Sequence, residues 1–457
     1  MAVLAGALAF HAHRFDWDLP LGKLPSLPLA AGLVTAGLAF LVLKPLVAWS
    51  LRATPRTQRT CLWLVVGIGL VLRLMMFATV PALEDDQQRY LFEGAMVANG
   101  ISPYRVSPGE AAHAAPGTAL SELAVRSWPI VERVNHAMLK TIYPPVAQGA
   151  FALAYLVEPF SLQAWRGILL AADAGVLVLL LWLLRATGRP LLWVALYWWN
   201  PLAIKELFNS GHMEGVLMLF VVLAVYLAGR RRFVSSAAVL GLAVGVKVWP
   251  VLLAPLLLRP LTTRPWRGAL AVALLAGLCV AWAVPIVLGG LDARSGFLAY
   301  AEQWQANSAL LPGLRDLIQV GLDAGGHGDW PAGRLARGLL ALSAAGIALA
   351  ASVRPVADVA DLLRRVALVT LALVLLSPAQ FPWYTLWTLP FLPFAPRWSV
   401  IAMAVTLPLY YVSFHYAAIG SYPVFRDRVV WLIWLPIWLL LATEAVTHWR
   451  RRAANRT

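Results

Sequence analysis

The chain has 457 residues, 60% of them hydrophobic and only 13% charged, with a net charge of +15. A soluble domain carries roughly 45–50% apolar and about 25% charged residues, so a water-soluble globule is excluded. The apolar runs are continuous rather than alternating, which excludes an outer-membrane barrel.

What remains is an all-α, polytopic transmembrane protein, a single integral membrane domain over 1–457. The basic charge does not point to nucleic acid. Arginines stand in short groups between apolar runs, the distribution expected of cytoplasmic loops. The 21 Trp and 12 Tyr suit membrane interfaces and cavity walls. Cys61 and Cys279 both lie in apolar runs, so no disulfide framework is implied.

In chain order, Met1–Phe10 is apolar but lacks a basic flank. It reads as a short first span, or the truncated start of one, rather than a cleaved signal. A span needs about 20 apolar residues. Clear candidates are 28–50, 61–81, 163–184, 190–208, 211–229, 267–290, 334–353, 364–380, 399–416 and 428–447. Three further segments, 145–157, 250–258 and 384–396, are short. Together these predict about 12–14 spans. Lys247-Val-Trp-Pro250 interrupts an apolar run, so two short helices are expected there rather than one.

Five basic groups set the orientation: Arg52/Arg56/Arg59, Arg230–Arg232, Arg259/Arg264/Arg267, Arg354/Arg364/Arg365, and Arg450–Arg452 with Arg456. Placing all five in the cytoplasm alternates consistently if the chain turns back at Lys247. Two long loops, 81–143 and 291–333, then face outward. The first has seven acidic against five basic residues, the second five against two. Residues 145–157 fit this count as a re-entrant or interfacial helix. As a span they would leave Arg185 and Arg189 on the wrong side.

The acidic run Glu84-Asp85-Asp86 stands where a membrane helix leaves the bilayer. Carboxylates at that depth are costly without partners or water, which marks them as functional candidates. Asp85 to Arg89 and Arg89 to Glu93 are each i,i+4, fit for an ion-pair ladder or for orienting a carboxylate beside a phosphate. Tyr104 follows Pro103 and Tyr143 precedes Pro144-Pro145, segments that read first as structural turns, with stacking of either ring on a sugar as the alternative. Lys205, Asn209, His212 and Glu214 make a dense polar patch between two apolar runs, as a cavity wall would. Lys247 sits deep in an apolar run and needs an anion or a route to the interface. Gln380 and Tyr384 lie at an outer boundary, where an aromatic belt is the plain alternative.

Taken together, these residues resemble the GT-C superfamily of membrane glycosyltransferases. They are most similar to the polyprenol-phosphate-mannose-dependent mannosyltransferases (GT87-like) and their bacterial relatives. There the first outer loop reads Asp-Asp-Ile-Tyr-Arg-Tyr-Leu-Trp-Asp-Gly, followed by Asn-Pro-Tyr and Ile-Tyr-Pro-Pro. Here it reads Asp85-Asp86-Gln87-Gln88-Arg89-Tyr90-Leu91-Phe92-Glu93-Gly94, then Ser102-Pro103-Tyr104 and Ile142–Pro145. Asn200-Pro201, Asn209–Glu214, Gly245–Pro250 and Phe381–Tyr384 follow in order. Gln87-Gln88, Phe92, Glu93 and Glu214 depart from the family pattern.

The resemblance implies an inverting transfer from a polyprenyl-phosphate sugar to a glycan or glycolipid acceptor. It places the enzyme in the bacterial cytoplasmic membrane, with its site on the extracytoplasmic face. The base would be Asp85 or Asp86. Arg89, Lys205, His212 and Lys247 would meet the donor phosphate. Tyr104, Tyr143, Asn209, Glu214, Gln380 and Tyr384 would contact sugar or acceptor. No cofactor is required, although Asp85 and Asp86 are able to share a divalent metal. Besides donor and acceptor, the partners are membrane lipids. A transporter or flippase of a lipid-linked saccharide is the alternative, but only one broken helix is evident where transporters usually pair them.

Overall fold

The computed structural model describes residues 1–454, so Arg456 of the last basic group lies outside the described residues. Nearly every element is helical, because a chain in hydrocarbon must satisfy its backbone N–H and C=O groups internally. Among the described residues the sole β-type pairing is an isolated bridge between Ala306 and Ala379.

Among the described residues seven helices are long and apolar enough to cross a membrane: Ser26–Ser50, Pro55–Met76, Leu162–Ala186, Pro265–Leu288, Ala332–Val353, Trp398–Ala418 and Tyr422–Arg451. Shorter apolar helices cover Pro145–Val157, Glu214–Gly229 and Phe233–Val244. The expected spans thus correspond to long helices together with several short or broken ones.

The 190–208 run shows why. It is cut into Leu191–Val194, Ala195–Trp198, Pro201–Ile204 and a π-helical turn, Lys205–Asn209. Pro190 and Pro201 lack the N–H a continuous helix needs. The Asn200 side chain caps the restart by accepting from Leu202 N and Ala203 N. The 384–396 run is likewise short 3-10 turns, Pro382–Trp387 and Leu389–Phe391. The break expected at Lys247 is present. The Phe233–Val244 helix ends before it, and Trp249–Leu253 and Ala254–Leu258 resume after it.

The 13 residues of Pro145–Val157 span about 20 Å at 1.5 Å each, short of a hydrocarbon core of about 30 Å. This helix packs on Asp86–Ala98, and Gly94 is what lets it approach: a Cβ there would lie 2.4 Å from the Phe151 carbonyl oxygen. Both long loops carry short helices. The first holds Asp86–Ala98, Pro108–Ala112, Ala119–Arg126 and Trp128–Val131. The second holds Gly296–Gln303 and Leu310–Ala324.

Several charges inside this apolar body have buried partners. Arg73 donates to Asp173 at 2.5 Å, and Tyr197 donates to the other oxygen of that carboxylate at 2.5 Å. Arg166 donates to the carbonyls of Thr79 and Asn209, each at 2.9 Å. These contacts lock the start of the first long loop onto the Leu162–Ala186 helix and the π-turn. Cys61 and Cys279 are free.

Candidate active site

A cavity of about 800 Å³ opens between the two long loops and the broken segments. Asp85 and Asp86 form its acidic corner, at the start of the Asp86–Ala98 helix. Leu83 enters that corner with φ 63°, a left-handed conformation unusual for leucine. His136, on the facing loop, has φ 45°. Strain of this kind gathers where a fold forces side chains into a working geometry.

The two carboxylates share one donor. The Asn135 amide bonds Asp85 Oδ1 at 2.7 Å and Asp86 Oδ1 at 3.1 Å. Asp86 Oδ2 is approached by the Tyr90 hydroxyl at 3.5 Å and by His212 Nδ1 at 3.6 Å. Burial, and then the charge of Asp86, push the Asp85 carboxyl up to about 7, against the pull of the Asn135 amide. Burial also raises Asp86, offset by Asn135, Arg89 and Lys247. Glu84 is raised further still by burial, opposed by Lys205. Two raised carboxyls side by side divide into one that keeps its proton and one free to take one, which suits general-base work.

Lys247 lines the same cavity, bonded to Glu214 at 2.8 Å and lying 4.4 Å from the Tyr384 ring centre. Tyr143, Glu214, Tyr384 and Arg89 are also in the wall. Phe381, Trp383 and Trp387 continue the aromatic side, and Tyr300 reaches across from the second long loop to bond the Tyr384 hydroxyl at 2.7 Å.

Arg89 is in the wall but its donors are committed. It pairs with Glu93 at 3.0 Å and bonds the carbonyls of Asn135, His136 and Leu139. Of the two i,i+4 pairs the spacing suggests, the structure forms Arg89–Glu93. Glu93 is completed by Thr141 at 2.7 Å and Gln148 at 2.6 Å. This buried network gathers the 135–141 loop and so places Asn135 over the two acids.

Five expected site residues stand outside the cavity lining. Lys205 is fully buried among Ser210, Tyr411 and Glu206. Its charge is answered within the protein, which removes the reason to assign it a phosphate. Asn209 clamps the 79–82 segment, bonding Thr79 Oγ1, Val80 O and Ala82 N. Tyr104 donates to the Tyr143 carbonyl at 2.9 Å. Gln380 bonds the carbonyls of Val374 and Leu375, at the end of the Val359–Leu376 helix. His212 is buried behind Asp86, stacked on Trp383 at 3.9 Å between ring centres, with Nε2 3.5 Å from Glu206. It packs behind the acid and does not line the cavity.

Asn135 was not legible as a site residue, being a lone amide in a polar loop. Arg337, in the second turn of the Ala332–Val353 helix, also lines the cavity and reads in the sequence as no more than the flank of a span.

Among the described residues no group of three metal-type side chains converges. The Asn135 amide bonds an oxygen of each acid and so links Asp85 to Asp86 without a metal ion. Chelation of divalent ions is expected to leave turnover unchanged within about twofold, since a hard cation needs several oxygen ligands. Rates compared with and without EDTA in metal-stripped buffer check this.

Comparisons with known proteins place the chain in a family. The model of glycosyltransferase family 87 matches residues 141–378. An α-(1→6)-mannopyranosyltransferase A from Corynebacterium glutamicum is 24% identical over 203 residues, which is 41% of this chain and 38% of that protein. The chain thus matches well under half the length of that relative. No solved structure matches.

Proposed function

Since the chain belongs to glycosyltransferase family 87, we propose that it moves a sugar from a polyprenyl-phosphate donor to a hydroxyl of a glycan or glycolipid, with inversion. The observation that carries this is the pairing, in one cavity, of the Asp85–Asp86 corner with Lys247 and an aromatic wall. The acid corner takes the proton of the acceptor hydroxyl as its oxygen attacks the anomeric carbon. The bond from that carbon to the phosphate oxygen breaks, and the phosphate leaves with the electron pair. A phosphate is already a stable anion, so nearby cations suffice and no cofactor is needed. Mannose is the sugar named for the C. glutamicum relative, and it is the first donor to try.

The acid-rich loops and arginine-rich connections support a site on the extracytoplasmic face of a bacterial cytoplasmic membrane. Purified protein in detergent, given radiolabelled polyprenyl-phosphate mannose and a mannose-containing glycolipid, is expected to yield a new glycosidic product, and GDP-mannose is expected to yield none. Product from the nucleotide sugar would overturn the donor assignment. Movement of the lipid across vesicles without a new bond would favour a flippase.

A further inference from the structure

Four strongly basic side chains line the cavity, and three of them are neutralised. Arg89 pairs with Glu93, Lys140 with Asp292 at 2.8 Å, and Lys247 with Glu214. The fourth, Arg337, has no carboxylate partner among the described residues. Its single hydrogen bond goes from Nη1 to the Trp304 carbonyl, at 2.9 Å. A guanidinium carries five N–H donors, so most of them are left for a ligand or water. An uncompensated cation in an apolar helix is costly unless an anion meets it.

What lies below it on the same helix is different chemistry. Leu340, Ala341 and Ala344, at i+3, i+4 and i+7 from Arg337, also line the cavity. That spacing is one helical face. Leu373 and Leu376 oppose it, and Val251 and Leu252 extend the apolar surface. The cavity thus has a cation at the head of an aliphatic strip, the shape of an amphiphile with one anionic end.

We propose that Arg337 is the donor-phosphate ligand and that the prenyl chain runs from it along the Leu340–Ala344 face of the Ala332–Val353 helix. This deepens the polyprenyl-phosphate reading above and rests on it. Lys247, held by Glu214 near the acid corner, then faces the sugar end rather than carrying the phosphate alone. The small side chains Ala341 and Ala344 leave the width that an isoprenoid needs.

The probes are a polyprenyl monophosphate and the matching polyprenol. Their binding to the purified full-length chain is followed by quenching of the cavity tryptophans. Wild type is expected to prefer the phosphate by about ten- to a hundredfold, the scale of a charge-assisted bond. Arg337→Gln keeps a donor for the Trp304 carbonyl yet should lose that preference, and Arg337→Lys should recover part of it. Ala344→Phe narrows the strip and should weaken both lipids while leaving the preference intact. In turnover, Arg337→Gln should raise the donor KM more than it lowers kcat, a split that a merely structural arginine would not produce.

If wild type binds the two lipids equally, the polyprenyl-phosphate reading itself fails. If wild type prefers the phosphate and Arg337→Gln preserves that preference, the Arg337 assignment is overturned alone. Unchanged binding of both lipids in Ala344→Phe overturns the path of the chain.

Discussion

Replacing Asp86 with Asn is expected to lower sugar transfer by about 10²–10⁴-fold, the usual worth of a positioned general base. Asn is nearly isosteric, so the Tyr90 and His212 packing around it should persist and the protein should fold. We assign the base to Asp86 because its second oxygen, the one not bonded to Asn135, faces Tyr90 and His212. Asp85, whose pKa stands at about 7, keeps a proton near neutrality and is the partner.

The pH dependence follows from the direction of these shifts. A carboxyl raised by burial stays protonated to higher pH, so the base form of Asp86 is lost as pH falls while still above the range of an ordinary aspartate. The acid limb of the rate profile should therefore lie well above the ordinary aspartate range of about 4. Asp85→Asn replaces a partner that already holds a proton on that limb, so it should leave the limb nearly in place while keeping much of the rate. Initial rates of each variant across pH 5–9 decide it. Wild-type rates and profiles in both variants would remove the acid corner from the mechanism.

The parts of this site that the sequence reveals are those where a charge stands out against hydrocarbon. Glu84-Asp85-Asp86 and Lys247 interrupt greasy runs, and the structure brings both to one cavity wall. The helix break at Lys247 is legible for the same reason, because Pro250 forbids a continuous ladder. Lys205 interrupts an apolar run just as visibly, yet its charge is spent on Glu206 beside it and on Tyr411, which lies 206 positions further along. Proximity of that kind is set by packing and leaves no local pattern.

Asn135 is hidden differently. Its contact with the two acids depends on Arg89 collecting three carbonyls of the 135–139 loop, 46 to 50 residues away. That some apolar runs are whole helices and others are broken has a simpler origin. Apolar length counts the same whether a run is one helix or several turns broken at Pro190, Pro201, Pro382 and Pro390, and proline position alone does not say which.

The largest expected effect on stability lies beneath the site, at Arg73. Its guanidinium is fully buried, paired with Asp173, bonded to the carbonyls of Gly69 and Trp198, and 3.4 Å from the Trp198 ring centre. Three elements meet there: the Pro55–Met76 helix, the Leu162–Ala186 helix and the broken 191–209 segment. Arg73→Met fills much of the same volume but strands the Asp173 carboxylate away from water. Breaking a buried pair from one side costs about 3–5 kcal/mol, more than the pair itself contributes. The variant should show a markedly lower unfolding temperature in detergent and a poor folded yield on gel filtration.

Adding Asp173→Leu removes the stranded charge and should restore part of the loss, though not all, because the Tyr197 hydroxyl would lose the acceptor it now holds at 2.5 Å. That partial recovery is the decisive reading. If the double variant is no better than Arg73→Met, the penalty comes from lost packing around Trp198 rather than from an unpaired charge. The link from this ion pair through the 191–209 segment to Asn209, and from there to the chain entering Asp85, would then be steric in origin.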